Sequence, residues 1–326
     1  MTTKFRWGIL GTGRIARKFA ASVATLPDAV LAAVGSRSAA SAEAFDREFQ
    51  IPVHHSSYAG LANDPAVDGI YIATPSPRHA GDMRLCLEAG KPVLCEKPFT
   101  VNSREANEII ALARARRVLL MEALWTRFLP AVVRMRELIA AGRIGPPQSL
   151  VADIGFPVTD RKGRLLDPAQ GGGALLDVGV YPVSLASMLF GPAIAATGYA
   201  DIGDTGVDEA FAIALRHAGG KLTLAQGSFR CALPLEATVS GPLGYLRIPA
   251  PWWKAQTLIL AIAGKPEERW DLSYPSFGLQ FEAAAFAAHW RAGRTEASEM
   301  PLDETLSTLQ TLDQLRAQWG LRYPGE

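Results

Sequence analysis

The stretch Phe5-Arg-Trp-Gly-Ile-Leu-Gly-Thr-Gly-Arg-Ile-Ala16 constrains this chain most. Phe5 to Leu10 reads as a short buried strand, Gly11-Thr12-Gly13 as a tight turn, and Arg14 and Ile15 as the opening of an amphipathic helix. Gly11 lets the chain turn sharply, Gly13 lets the backbone approach a pyrophosphate, and Ala16 stands where helix and strand must pack closely. The free N–H groups and positive dipole end of the helix would face the phosphates. A glycine-rich turn can be purely structural. Its position before a second strand, Ala29 to Gly35, at the expected distance favours dinucleotide binding.

The end of that second strand bears on the cofactor. A carboxylate there would accept hydrogen bonds from the 2'-hydroxyl of NAD and repel a 2'-phosphate. This chain has Ser36, Arg37 and Ser38 instead, two hydroxyls and a guanidinium suited to phosphate. NADP(H) is therefore favoured over NAD(H), although Arg37 could also be a solvated loop charge.

Strands near Val53, Gly69 to Ala73, Pro92 to Glu96 and Val118 to Met121 alternate with helices, the last of them Asn102 to Arg116. That alternation predicts an α/β Rossmann domain over 1–123, a doubly wound parallel sheet. Ligands bind beyond the carboxyl ends of such strands. Those ends place Thr74, Pro75, Glu96 and Lys97 in the same crevice as the glycine turn. Short strand-like segments dominate from Ser149 to Ile262, interrupted by a helix, Ala174 to Leu189, and followed by helices near Gly278 to Trp290 and Leu302 to Trp319. An α+β domain over 124–326 with a large, open, mostly antiparallel sheet is expected.

Composition narrows the alternatives. With 48% hydrophobic and 20% charged residues and a formal charge of +1, no basic surface for nucleic acid or membrane lipid is implied. Cys86, Cys95 and Cys231 form no Cys/His cluster, so no metal is expected and reduced, mostly buried thiols suit a cytoplasmic protein. No apolar run is long enough to span a bilayer, and the N-terminus lacks the hydrophobic region of a signal peptide.

Two pieces carry reactive groups. Lys97 lies in Glu96-Lys97-Pro98, where an ordinary ion pair is as good a reading as catalysis. Asp177 and Tyr181 follow Gly171-Gly-Gly173, glycines that permit close approach to a ligand, and their spacing gives them one helix face. Each alone could be structural. Together the three acquire a logic. A tyrosine, pKa about 10, is a poor base near neutrality, but a neighbouring ammonium favours its phenolate. Tyr181 would exchange the substrate hydroxyl proton, Lys97 would assist it and polarise the oxygen, and Asp177 would orient a hydroxyl. This requires Lys97 and Tyr181 to meet across one nicotinamide ring.

The ordered set Gly11-x-Gly13-x-x-Ala16, Ala73-Thr-Pro75 with His79, Glu96-Lys97-Pro98 and Gly171-Gly-Gly-Ala-Leu-Leu-Asp177-Val-Gly-Val-Tyr181 resembles the glucose-fructose oxidoreductase and inositol dehydrogenase (Gfo/Idh/MocA) family. The resemblance spans nearly the whole chain. It implies a bound nicotinamide cofactor, an essential lysine at Lys97, a substrate-side aspartate at Asp177, and a C-terminal sheet often used for homo-oligomers. Many members place a histidine where this chain has Tyr181. The tyrosine, with Met121-Glu-Ala-Leu-Trp-Thr-Arg-Phe128, is similar to the branch with dimeric dihydrodiol dehydrogenase and NADP-dependent D-xylose dehydrogenase. By that resemblance His79, Trp125 and Arg127 fall at the cofactor side of the site. The implied activity is hydride transfer between NADP(H) and a sugar, polyol or cyclic vicinal diol. A non-catalytic nucleotide sensor of the same fold, or a tetrapyrrole or imine reductase, remains the alternative. Trp252, Trp253 and the loop 156–170 could contact substrate or serve packing.

Overall fold

The apolar runs of the first third become one parallel sheet. In the computed structural model, which describes residues 4–326, β1 (Phe5–Leu10), β2 (Ala29–Gly35), β3 (Val53–His55), β4 (Gly69–Ile72), β5 (Val93–Glu96) and β6 (Leu120–Ala123) lie in the order β3-β2-β1-β4-β5-β6. All five pairings are parallel. The connections are α1 (Arg14–Val23), α2 (Ala39–Phe49), α3 (Tyr58–Ala62), α4 (His79–Glu88) and α5 (Ser103–Arg116). Strand order reverses between β1 and β4, which opens a crevice beyond their carboxyl ends. Leu10 pairs with Gly35 on one side and Ile72 on the other, so three turns leave the sheet at one level.

After α6 (Pro130–Ala140) come β7 (Ser149–Gly155), a π-wound turn (Leu175–Gly179), α7 (Val180–Phe190), β8 (Ala193–Ile202), β9 (Asp208–His217), β10 (Leu222–Ser228), β11 (Ala237–Gly241), β12 (Gly244–Ile248), β13 (Thr257–Ile262) and β14 (Glu268–Asp271). Their eight strands form one sheet, β14-β13-β12-β11-β7-β10-β9-β8, antiparallel except for the β7–β10 pair. Helices α8 (Leu279–Arg291) and α9 (Leu302–Trp319) end the chain. Two features differ from the sequence reading: the helix expected from Ala174 begins as a π turn, and β14 is additional. The one parallel pair, β7 and β10, is within a mostly antiparallel sheet, as expected.

The chain forms two compact units. One holds residues 4–100, 104–125 and 274–302, the other 101–103, 126–273 and 303–326. The expected 124–326 domain therefore gives up a segment to the first unit. The cause is aromatic: α8 sets Phe286 at 5.2 Å from the Trp7 ring and Trp290 edge-on to Phe5 at 5.1 Å. These large rings complete the core under β1. In the second unit α9 docks through Gln318 and Trp319, which donate to the carbonyls of Ala196 and Gly198 at 2.8 and 2.9 Å. The stretch Pro168–Phe190 is apolar enough to span a membrane by composition, but 83% of its most apolar window is buried inside the structure.

Candidate active site

In the first unit the strand ends build a cradle. Gly11 has φ +101°, and a Cβ there would stand 3.2 Å from the carbonyl carbon and oxygen of Ala73, so only glycine fits. Gly13 is different. Its backbone is extended, and a Cβ would meet nothing nearer than the Ala73 oxygen at 4.0 Å. It heads α1, which has no side-chain cap and no acidic residue in its first turn. The protein itself does not require glycine at 13, whereas an anion against the bare helix end would. A dinucleotide pyrophosphate fits this cradle.

Around it, Arg14 is exposed and Ile15 half-buried, and the Thr12 carbonyl accepts from Arg17 Nη1 at 2.6 Å. At the β2 tip Ser36 Oγ accepts from the Ser38 N–H at 3.2 Å, and Ser38 Oγ caps α2 by accepting from the Ser41 N–H at 3.3 Å. Both serine hydroxyls shape the turn and leave Arg37 exposed at its apex. Pro75 is exposed; Thr74 is buried and donates to Asp82 at 2.8 Å.

His79 is buried, with Nε2 at 2.8 Å from the Thr74 oxygen and Nδ1 at 2.9 Å from the Pro98 oxygen. Burial lowers its pKa against the opposing pull of those two carbonyls. The ring lies between two carbonyls, one at the end of β4 and one in the turn after β5, and in its neutral form donates to one of them. His79 thus positions the crevice.

Lys97 leaves the end of β5 half-exposed, followed by a cis bond to Pro98. Its backbone N–H donates to Glu96 at 3.2 Å, and the other Glu96 oxygen accepts from the buried Tyr71 hydroxyl. Glu282 of α8 is fully buried, and neither carboxyl oxygen has a hydrogen-bond partner. Burial, then the nearby Glu96 charge, pushes Glu282 well above the usual carboxylate range. Trp125 is buried at the end of the same unit.

The second unit carries Asp177 and Tyr181. Asp177 lies in the π turn and accepts from Arg164 Nη2 at 3.1 Å. That winding replaces the α-helical start expected at Ala174, and residues four apart still lie near one side of it. Tyr181, in the first turn of α7, is 8% exposed, its ring 6.5 Å from the Trp252 ring and edge-on. Trp252 is fully buried and donates to the Asp153 carbonyl at 2.8 Å, so it braces Tyr181 as packing. The Trp253 carbonyl accepts from Thr126 Oγ1 at 2.9 Å. The loop 156–170 is pinned where Arg161 joins Arg230 on the carboxylate of Glu209, which the Arg161 bond holds below its usual pKa.

Arg127 is 2% exposed, and its guanidinium donates to Ser184 Oγ, to the Ser184 carbonyl at 2.7 Å and to Glu304 at 2.5 Å. These partners make it a clamp between α7 and α9. One expectation changes here. The glycines 172 and 173 are crowded by protein. A Cβ on Gly172 would lie 2.8 Å from the Arg164 oxygen, and one on Gly173 (φ +115°) 2.5 Å from Asp208 Oδ1 and 2.8 Å from the Tyr323 hydroxyl. Asp208 accepts from the Leu175 N–H at 2.6 Å, and Tyr323 donates to the Gly172 carbonyl at 2.5 Å. Close approach there is to the chain's own atoms. Sequence gave no signal for Asp208 or Tyr323, whose partners are far away in the chain.

Fold and cradle together define a nucleotide-binding oxidoreductase. Residues 5–124 match the oxidoreductase family with an NAD-binding Rossmann fold, and 132–247 match the GFO/IDH/MocA C-terminal domain. The chain belongs to the GFO/IDH/MocA family, and it is an NAD(P)-dependent dehydrogenase. It is 37% identical to trans-1,2-dihydrobenzene-1,2-diol dehydrogenase of Mus musculus and 36% to that of Homo sapiens, over 98% of each chain. Two solved structures share the fold over 97% or more of each chain. Aldose-aldose oxidoreductase from Caulobacter crescentus has a TM-score of 0.87 at 24% identity. KijD10, a 3-ketoreductase from Actinomadura kijaniata in complex with NADP, has 0.85 at 24%.

Proposed function

We propose that this protein transfers hydride between NADP(H) and a CH–OH/C=O group of a sugar, polyol or cyclic vicinal diol. The observation that carries the reading is the uncapped start of α1 beside Lys97-bearing β5, in a unit whose strand ends leave at one level. The substrate class is supported by the relatives named for a dihydrobenzene diol and by the fold shared with an aldose oxidoreductase. NADP over NAD is supported by Arg37 at the β2 tip with no carboxylate beside it in sequence.

Gly11, Thr12, Gly13, Arg14 and Ile15 would hold the pyrophosphate, Ser36, Arg37 and Ser38 the adenosine ribose, and Thr74, Pro75, Glu96 and Trp125 the remaining cofactor surface. When bound, the nicotinamide accepts or supplies the hydride. In oxidation the phenolate oxygen of Tyr181 would take the substrate hydroxyl proton while the carbon loses its hydride and the C=O forms; in reduction the Tyr181 hydroxyl would return that proton and be left as phenolate. The Lys97 ammonium would favour the phenolate form and polarise the substrate oxygen. Asp177, oriented by Arg164, accepts a hydrogen bond from a second substrate hydroxyl.

We further propose a homo-oligomer through the open face of the eight-stranded sheet. Leu224 pairs with Val151 and Ala214 across that face, and Leu222, Leu224 and Val151 are each at least half exposed. The three free cysteines suit the cytoplasm. The test of the activity is absorbance at the reduced-nicotinamide band with NADP and a panel of aldoses and diols. Turnover of a member is expected; a protein that binds NADP yet turns over none of the panel would refute the substrate class.

A further inference from the structure

Beyond the β2 tip, the first unit has an open groove of about 650 Å3 lined by Arg37, Ser57, Tyr58, Pro77, Arg78 and Asp82. We propose that Arg78 is the second cation for a phosphomonoester on the 2'-position of the adenosine ribose, opposite Arg37. This rests on the NADP reading above and adds a specificity residue to it.

Arg78 is held on two sides and carries one buried, unpartnered N–H. Its Nη2 donates to Asp82 Oδ1 at 3.0 Å, its Nε is buried without a partner, and its guanidinium carbon stands 5.5 Å from the centre of the Tyr58 ring. A guanidinium laid against an aromatic ring and pinned at one edge has lost most of its rotational freedom, so a contact at its remaining N–H groups costs little ordering. Asp82 does not cancel the groove's charge. Its other oxygen accepts from Thr74 at 2.8 Å, and the side chain is 4% exposed, so the groove lining carries one buried carboxylate and two guanidinium groups. The net positive charge and the planar fork of Arg78 fit a dianionic phosphate. The chain Thr74, Asp82, Arg78 also fixes the groove relative to the end of β4, where the dinucleotide enters the crevice.

The test is calorimetric titration of the full-length protein with 2',5'-ADP and with 5'-AMP, for wild type, Arg78→Leu, Arg78→Lys and Arg37→Leu. Wild type is expected to prefer 2',5'-ADP. Arg78→Leu should weaken 2',5'-ADP about 10- to 100-fold, the range for one charge-assisted contact, and leave 5'-AMP within about twofold. Arg78→Lys should recover part of the loss, and rising salt should erode the wild-type preference. An unchanged preference in Arg78→Leu, with Arg37→Leu impaired, overturns the role of Arg78 while keeping the NADP reading. Equal weakening of both ligands by Arg78→Leu assigns it to the base and overturns the proposal. A wild type that binds both ligands alike overturns the NADP reading and this inference with it.

Discussion

The chain has two glycine turns that each lead into a helix, and they do opposite work. At Gly11-Thr12-Gly13 the helix start is bare and a side chain at 13 would have room. At Gly171-Gly172-Gly173 the space is filled by Arg164, Asp208 and Tyr323, and the Leu175 N–H is already bonded to Asp208. The first turn leaves its helix start without a side-chain cap; at the second the Leu175 N–H is held by Asp208. In the function proposed above, the second unit acts through side chains further on, Asp177 and Tyr181. The same motif letters mean ligand approach in one place and internal packing in the other.

The largest effect that sharpens this contrast is at Tyr181. Tyr181→Phe keeps the ring beside Trp252 and removes the proton-exchanging oxygen. Turnover should fall about 10²- to 10⁴-fold, while NADP affinity, set in the first unit, stays nearly constant. Steady-state kinetics with a parallel NADP titration reads both, and undiminished kcat would end the role.

Asp208 offers the next. Burial raises its carboxyl from 3.8 to about 7, against the Leu175 N–H bond that lowers it. A raised folded-state value means the folded protein holds a proton that the unfolded chain has released between pH 4 and 7. Stability from this group is complete below pH 4 and is lost as pH rises to 7, by up to about 4 kcal/mol. Asp208→Asn cannot ionise. Urea unfolding from pH 4 to 8 should show the variant gaining on wild type across that window. Parallel curves would mean the second helix start is not held by a titrating carboxyl.

Third in size is Gly173→Ala. The positive φ and the approach to Asp208 and Tyr323 together predict a loss of about 2–4 kcal/mol, read as a fall in denaturation midpoint. Normal stability would show that the second turn has slack like the first.

What could be read beforehand follows the range of the forces involved. Parallel strands and Lys97 at a strand end are written in local apolar runs and turn residues. The buried face of α8 is not: Phe286 and Trp290 announce a core helix but not which core, and they joined the first unit. Resemblance alone places Arg127 at the site, and its partners in the fold, Ser184 and Glu304, lie 57 and 177 positions away. The Gly172 carbonyl meets Tyr323 at a separation of 151. The π turn at Leu175–Gly179 changes winding without changing the apolar pattern that a 3.6-residue period detects. Local signals mark Gly11-Thr12-Gly13 as a turn for a ligand; the packed turn depends on contacts that only the folded chain brings together.

The smallest predicted effect separates the two turns most directly. Gly13→Ala puts a methyl group where only the Ala73 oxygen is near, at 4.0 Å, and the extended backbone suits alanine. Stability should change by less than about 0.5 kcal/mol, as for an exposed position. The methyl would stand in the path of a pyrophosphate drawn to the α1 N–H groups, so NADP affinity should fall about tenfold. Stability and affinity thus move independently at Gly13, whereas at Gly173 the fold itself should give way. If Gly13→Ala instead destabilised the protein and left NADP binding intact, both turns would be packing devices, and the cofactor would have to be held by the β2 tip and the later strand ends alone.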